Sequence, residues 1–182
     1  MLELDLSAFP VLRTERLVLR EITAADAPAL FALRTDERVM RHLARPRAST
    51  EQDAAGLIEQ IAEGRSKGTG ITWGISLPDA TKLLGTIGFY RLRPEHYTAE
   101  VGYLLSPDHW RQGLMTEALI AVTAHGFGMG FWRIEAITDP ANAASRGLLE
   151  RSGYRYEGTL RGNMHWQGTQ LDSAVYARLA SD

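Results

Sequence analysis

Trp110-Arg111-Gln112-Gly113-Leu114-Met115-Thr116-Glu117-Ala118 is the stretch on which the reading of this chain turns. Leu105-Ser106-Pro107 ends an apolar run just before it. After it, Met115, Ala118, Leu119 and Val122 recur at helical spacing. A strand therefore hands over to a helix through one glycine. The first turn of a helix leaves backbone N–H groups without intrahelical acceptors. Those groups and the helix dipole make an anion site that a diphosphate fits. Gly113 lacks a β-carbon, so a ligand can reach the backbone there. Taken alone, the same stretch reads equally well as a strand–turn–helix junction that needed a glycine.

Working outward, Ala99 to Leu105 is the strand that feeds this turn, and Leu83 to Leu92 is a strand before it with apolar residues on both faces. Ile71, Trp73, Ile75 and Leu77 alternate as a further strand. Two helices precede these strands. The first runs from the capping residues at 23–26 through Ala27, Leu30, Phe31 and Leu33. The second starts at Ser49-Thr50-Glu51 and shows Ala54, Leu57, Ile58 and Ile61 on one face. Leu17-Val18-Leu19 is the first strand. Downstream, Trp132, Ile134 and Ala136 alternate as a strand, and Asp139-Pro140 is a favourable helix start. Gly153 ends that helix, and two last strands follow around the turn at Gln167-Gly168. The order β-α-α-β-β-β-α-β-α-β-β predicts an α/β fold with a mixed, mostly antiparallel central sheet flanked by helices. One parallel crossover falls in its second half. The chain of 182 residues suits a single domain, residues 1–182. Its core is expected over about residues 13–180.

A formal charge of −2 and the lack of a long Lys/Arg cluster give no sign of a nucleic-acid partner. The densest basic run, residues 38–47, is broken by Met40, Leu43 and Pro46 and reads as the solvated side of a helix and its exit. There are no cysteines, which excludes disulfides, thiolate metal sites and a cysteine nucleophile. The five histidines have no metal-site spacing, so no metal is expected. His125 reads as a helix C-terminal residue whose partly positive ring suits the dipole. No run approaches the ~20 apolar residues of a membrane span. The acidic start Met1-Leu2-Glu3-Leu4-Asp5 is unlike a signal peptide, and a cytoplasmic location is expected.

Two constellations could carry chemistry. Glu100 shares a strand face with Thr98 and Gly102, opposite Ala99, Val101, Tyr103 and Leu105. A carboxylate in a central strand needs a partner or water. It is either a general base facing a cleft or an ion-pair partner of an arginine such as Arg91. Asn142-Ala143-Ala144-Ser145 opens a helix, where Asn142 and Ser145 either meet a ligand or cap the helix. There is no phosphate loop of the Gly-Lys-Ser/Thr type, no nucleophile elbow and no dinucleotide fingerprint.

Together these segments resemble the GCN5-related N-acetyltransferase superfamily, and within it the ribosomal-protein N-terminal acetyltransferase branch. The matching phrases run through nearly the whole chain: residues 14–20, 99–103, 110–118 and 142–145, then Leu148, Arg151, Gly153, Tyr154, Glu157-Gly158, Asp172 and Tyr176. The resemblance implies acetyl-CoA as co-substrate and an amine acceptor, either a protein N-terminus or a small molecule. By resemblance, the pantetheine arm pairs with the backbone around Tyr103, Leu104 and Leu105. The pyrophosphate lies on Arg111, Gln112, Gly113, Leu114, Met115 and Thr116. Asn142 and Arg151 complete the cofactor site. Glu100 takes the proton of the attacking ammonium, and Ser145 protonates the departing thiolate. Many relatives carry a tyrosine acid where this chain has Leu149, which favours Ser145.

An alkyl ammonium cannot attack a thioester, so a base is required. The oxyanion needs a donor, which a bulge near Tyr103 or Leu104 could free. With no cysteine, acetyl passes directly to the acceptor. The expected function is acetyl transfer to a primary amine, foremost a protein or peptide N-terminus. The alternatives are a small amine such as an antibiotic or polyamine, or a non-catalytic acyl-CoA-binding regulatory domain. A homodimer is expected only by analogy.

Overall fold

Strand β3 (Ile71–Ser76) is buried along its whole length, so the sheet is covered on both faces where it passes. The large residues of its alternation, Ile71, Trp73 and Ile75, join the main core with Ile87, Phe89, Val101, Leu119 and Val122. The small ones admit a second cluster of Ile22, Leu30, Leu33, Ala54, Ile58 and Leu83. Each cluster is closed by helices, and each buried aliphatic side chain contributes about 1.5–3 kcal/mol.

The computed structural model describes residues 2–182. Around β3 lie β1 (Leu12–Arg13), β2 (Val18–Glu21), β4 (Gly85–Arg93), β5 (Thr98–Leu105), β6 (Arg133–Thr138), β7 (Arg155–Trp166) and β8 (Thr169–Leu179). The helices are α1 (Ala27–Thr35), α2 (Glu37–Met40), α3 (Glu51–Ser66), α4 (Leu114–Gly128) and α5 (Ala143–Arg151). The eight strands form one sheet in the order β1-β2-β3-β4-β5-β6-β8-β7. Only the β5–β6 pairing is parallel. This is the expected mixed α/β architecture, with α4 as its crossover. No described helix is long and apolar enough to cross a membrane.

Local chemistry explains the helix starts. Thr50 and Asp53 form a reciprocal capping box at the head of α3. Asp26 closes a similar box with Thr23 and takes a bidentate bond from Arg20 at 2.8 Å per arm. Asp139-Pro140 does not begin α5. Asp139 accepts from the Ala141 and Asn142 amides, making a turn, and the helix starts three residues later with Asn142 as its cap. The terminal hairpin is longer than the sequence suggests, because its outer part carries few apolar residues to mark it. His125 is half-buried and packs edge-on against Trp73 at 5.7 Å. Burial pushes its pKa down, so the neutral ring is favoured, contrary to the helix-dipole expectation.

Candidate functional site

At the turn into α4, Arg111 and Gly113 both adopt left-handed backbone conformations, with φ of 59° and 76°. Alternation of this kind curls successive amides toward one concavity. Among the described residues, the amides of Arg111, Gln112, Gly113, Leu114, Met115 and Thr116 donate to no protein acceptor; Glu117 is the first to bond back, to Gly113 O at 3.0 Å. Leu114 and Met115 bury their side chains in the core, so they offer this concavity backbone alone. Their burial also fixes where the helix starts.

The loop is tied down from both sides. The Trp110 indole donates to Leu105 O at 2.8 Å, which occupies a carbonyl that resemblance gave to the cofactor. Arg16 donates to Gln112 O at 2.9 Å and pairs with Glu117 at 2.7 Å. Burial would raise the Glu117 carboxyl, but the bonds from Thr14 and Arg16 outweigh it and hold it low. Nothing local in the sequence marks this role of Arg16, because its partner Glu117 lies 101 residues away.

Beside the loop the sheet splits. β5 and β6 pair only through Thr98–Arg133, Ala99–Ile134 and Glu100–Glu135. Beyond that point β5 continues with β4 to Leu105, while β6 continues with β8 to Thr138. The two strands part into a V, and residues 101–105 turn alternate N–H and C=O groups into the gap. The free backbone arises from this divergence and not from a bulge in β5. The register irregularity lies in β4, between Tyr90 and Arg93.

Glu100 stands at the apex of the V. Its carboxylate takes a 2.8 Å bond from Arg91, so the ion-pair alternative is realised. Arg91 is held at φ 45° on the bulge, and its side chain is 66% exposed against 18% for Glu100. An ion pair with so exposed a partner is weak and exchangeable. The neighbouring Glu135 is held more firmly, by Arg93 at 2.7 Å and Arg133 at 2.8 Å.

Ser145 and Tyr103 meet on the opposite face of the sheet. The Tyr103 phenol and the Ser145 hydroxyl are 2.8 Å apart. Burial pushes the phenol up to about 12, against a smaller opposing pull from Ser145, so it stays protonated at neutral pH. Sequence reasoning used only the backbone of Tyr103; its alternation opposite Glu100 was the available signal. Asn142 caps α5 by accepting from the Ser145 amide at 3.0 Å. Among the described residues its side-chain NH₂ has no acceptor, so capping leaves a donor to spare. Arg151 lies exposed at the end of α5. Leu149 is fully buried and plays no part in the opening. Among the described residues no cluster of His, Cys, Asp or Glu is placed to hold a metal.

The arrangement can seat a diphosphate on amides, an extended arm in the V, and a reacting centre between a carboxylate and a phenol–hydroxyl pair. Comparison with known proteins identifies the family. The family model of the acetyltransferase (GNAT) domain matches residues 16–155. The chain is 39% identical over 170 residues to the uncharacterized N-acetyltransferase YoaA of Bacillus subtilis (strain 168), covering 93% of this chain and 96% of that protein. It is 34% identical over 101 residues to the ribosomal-protein-serine acetyltransferase of Escherichia coli (strain K12), covering 54% and 55% of the two chains. The crystal structure of an acetyltransferase (GNAT family) from Bacillus anthracis superposes with a TM-score of 0.85 at 26% identity, covering 95% of this chain and 100% of that one. Backbone-lined anion loop, parted strands and family match converge: this chain belongs to the GNAT family and is an acetyl-CoA-dependent N-acetyltransferase.

Proposed function

We propose that the domain, residues 1–182 with its core over about 13–180, acetylates the primary amine of a protein or peptide N-terminus in the cytoplasm. The observation that carries the site assignment is the run of six unbonded amides at 111–116 beside the gap between β5 and β6. The pyrophosphate of acetyl-CoA rests on those amides, and the helix dipole adds to the attraction. The pantetheine arm enters the V and pairs with the backbone of Tyr103, Leu104 and, through the groups Trp110 leaves free, Leu105. Asn142 and Arg151 contact the cofactor from the α5 side.

The acceptor arrives as an ammonium and exchanges with Arg91 at the Glu100 carboxylate. Glu100 takes one proton, directly or through a water. The freed amine nitrogen then attacks the thioester carbonyl, forming the C–N bond and an oxyanion. A backbone N–H in the gap stabilises that charge. Collapse breaks the C–S bond; the nitrogen gives up its second proton as the thiolate gains one, a relay through the Ser145 hydroxyl, which passes one proton on and receives the other while Tyr103 holds it by their shared bond. Holding amine and thioester in line supplies much of the remaining acceleration. With no cysteine in the chain, no acetyl-enzyme forms on sulfur. Likeness to the ribosomal-protein-serine acetyltransferase supports the N-terminal acceptor.

The test is thiol release from acetyl-CoA across a panel of peptides and small amines, with products read by mass. Acetylated peptide N-termini are the expected result. Preference for non-peptide amines overturns the acceptor assignment. Tight acetyl-CoA binding without turnover on any acceptor overturns the catalytic reading in favour of a regulatory binding domain.

A further inference from the structure

The segment between α1 and α3, residues 36–47, is an excursion closed at its base. The Ala48 amide donates to Arg34 O at 3.1 Å, and the Arg34 guanidinium donates to Pro46 O at 3.4 Å. Within it, α2 buries Met40, which joins neither core cluster. On its far side the His42 ring donates from Nδ1 to Asp139 Oδ2 at 2.7 Å, joining residues 97 positions apart.

The topology places this bridge over the site. α3 packs on β3 and ends at Ser66, shortly before β3 begins at Ile71. Its 16 residues span about 24 Å, so the excursion before it lies past the other end of β3. There Ile75 pairs with Gly85 and Gly85 with Leu105, which is the wide end of the V. The helical layer stands on the Glu100 face. Gly74 lies in line with Thr86 and Leu104 on that face, and its β-carbon position meets Leu83 and Ile22 of the second cluster. α4 covers the opposite face, where the Gly126 β-carbon position meets Phe89 and Ile134. The amide loop therefore serves one face of the V. On the other, where Glu100 stands, His42 reaches across from the α1–α3 layer to the end of β6.

Asp139 is a joint between that bridge and the start of α5. Its Oδ1 accepts from the Ala141 amide at 2.8 Å, and its carbonyl accepts from the Asn142 amide at 2.9 Å. Asn142 in turn holds the Ser145 amide, and Ser145 meets Tyr103. One carboxylate thus ties the excursion on the acceptor face to the turn that sets Asn142 and Ser145. The His42 and Asp139 side chains are 26% and 36% exposed, so their bond is modest in strength and able to open.

We propose that His42 and Asp139 are positioning residues: their bond latches the excursion 36–47 across the acceptor side of the V, opening to admit the amine and closing over it. The acceptor role rests on the acetyltransfer reading above. The latch adds to acceptor binding without touching the amide loop that takes coenzyme A. Through Asp139, closure and the placement of Ser145 are set together.

The experiment pairs kinetics with limited trypsin cleavage, which needs no turnover. The excursion offers trypsin the bonds after Arg38, Arg41 and Arg47. His42→Ala should raise the acceptor KM and speed cleavage at these bonds, each roughly 5- to 10-fold, with kcat and coenzyme A affinity within about twofold of wild type. His42→Asn, which retains an N–H donor near the Nδ1 position, should restore part of both. Asp139→Ala also loses the bond to Ala141, so it should lower kcat as well. The double variant should raise KM no further than Asp139→Ala alone, because both changes remove the same bond. Thermal melts report whether each variant folds, and His42→Ala keeps the test alive if Asp139→Ala does not. Wild-type KM and cleavage in His42→Ala overturn the latch, as do additive effects of the two residues on KM. An equal loss of coenzyme A affinity in His42→Ala overturns its placement on the acceptor side. No thiol release by the wild type with any acceptor overturns the acetyltransfer reading, and the cleavage rates then decide the latch on their own.

Discussion

Replacing Gly113 with alanine separates a backbone requirement from a ligand requirement. Gly113 sits at φ 76° and ψ −1° as the residue before α4. An L-residue in that left-handed region costs about 1–2 kcal/mol. The new β-carbon would meet only the Arg16 guanidinium, at 3.4 Å, which is close to ordinary van der Waals contact, so steric strain adds little. For a chain of this size about 1 kcal/mol moves Tm by roughly 2–4 °C, giving a fall of about 2–8 °C. Gly168, in the β7–β8 turn, supplies the control: its φ is 80° and nothing lies within 4 Å of its β-carbon position. Gly168→Ala should therefore lose similar stability. The two differ at the amide cradle, where the Gly113 methyl blocks close approach of phosphate. Losing one hydrogen bond to a charged group costs about 1.5–3 kcal/mol. That is a roughly 10- to 100-fold rise in Kd for coenzyme A. Calorimetric titration and thermal melts on both variants check this. A coenzyme A affinity within twofold of wild type in Gly113→Ala refutes the cradle, and so does an equal loss in Gly168→Ala. Valine is a poorer probe, because its β-branch adds backbone strain of its own.

Glu100→Gln should lower turnover at neutral pH by about 10²- to 10⁴-fold and leave acetyl-CoA affinity nearly intact. Steady-state thiol release and titration measure the two, and a large loss of cofactor affinity would make Glu100 structural. Tyr103→Phe and Ser145→Ala should each slow turnover, and the double variant should cost less than the two combined, because both remove the same 2.8 Å bond. Additive effects would mean the pair does not act as a unit. Burial raises the Asp26 carboxyl, but the bonds from Arg20 and the Thr23 amide outweigh it and leave the pKa lowered. Its stabilisation is therefore present above the unfolded-state carboxylate pKa and lost as pH falls through the lower folded value. Asp26→Asn should cost about 1.5–3 kcal/mol at neutral pH and flatten the acid side of the stability curve. Denaturant melts from pH 7 to 3 show whether the wild type and variant converge.

Much of the fold was legible because its signals are local. Capping at Thr50, the period of Met115, Ala118, Leu119 and Val122, and the glycine at 113 each act within a few residues. Asp139-Pro140 misled because two good helix starters stand three residues before the true cap, and only the backbone bonds to Asp139 choose between them. His125 misled because a helix terminus predicts a charge, whereas its packing on Trp73, a residue of another element, removes water from the ring. At the site, Glu100 and Ser145 were visible as residues, but their partners were not. Arg91 reaches Glu100 through an irregularity of β4, and Tyr103 reaches Ser145 from a strand 42 positions away in sequence.

The sequence by itself determined the order of the longer strands and helices, though not the two-residue β1 or the four-residue α2, together with the backbone-lined turn before α4 and the absence of a thiol nucleophile, since periodicity, turn chemistry and composition are written within short windows. Tertiary structure alone decided where β5 and β6 part, that Arg91 reaches Glu100, and that Tyr103 reaches Ser145. Those outcomes depend on strand register and on how far apart segments pack, and one residue of slip would turn every such side chain to the other face.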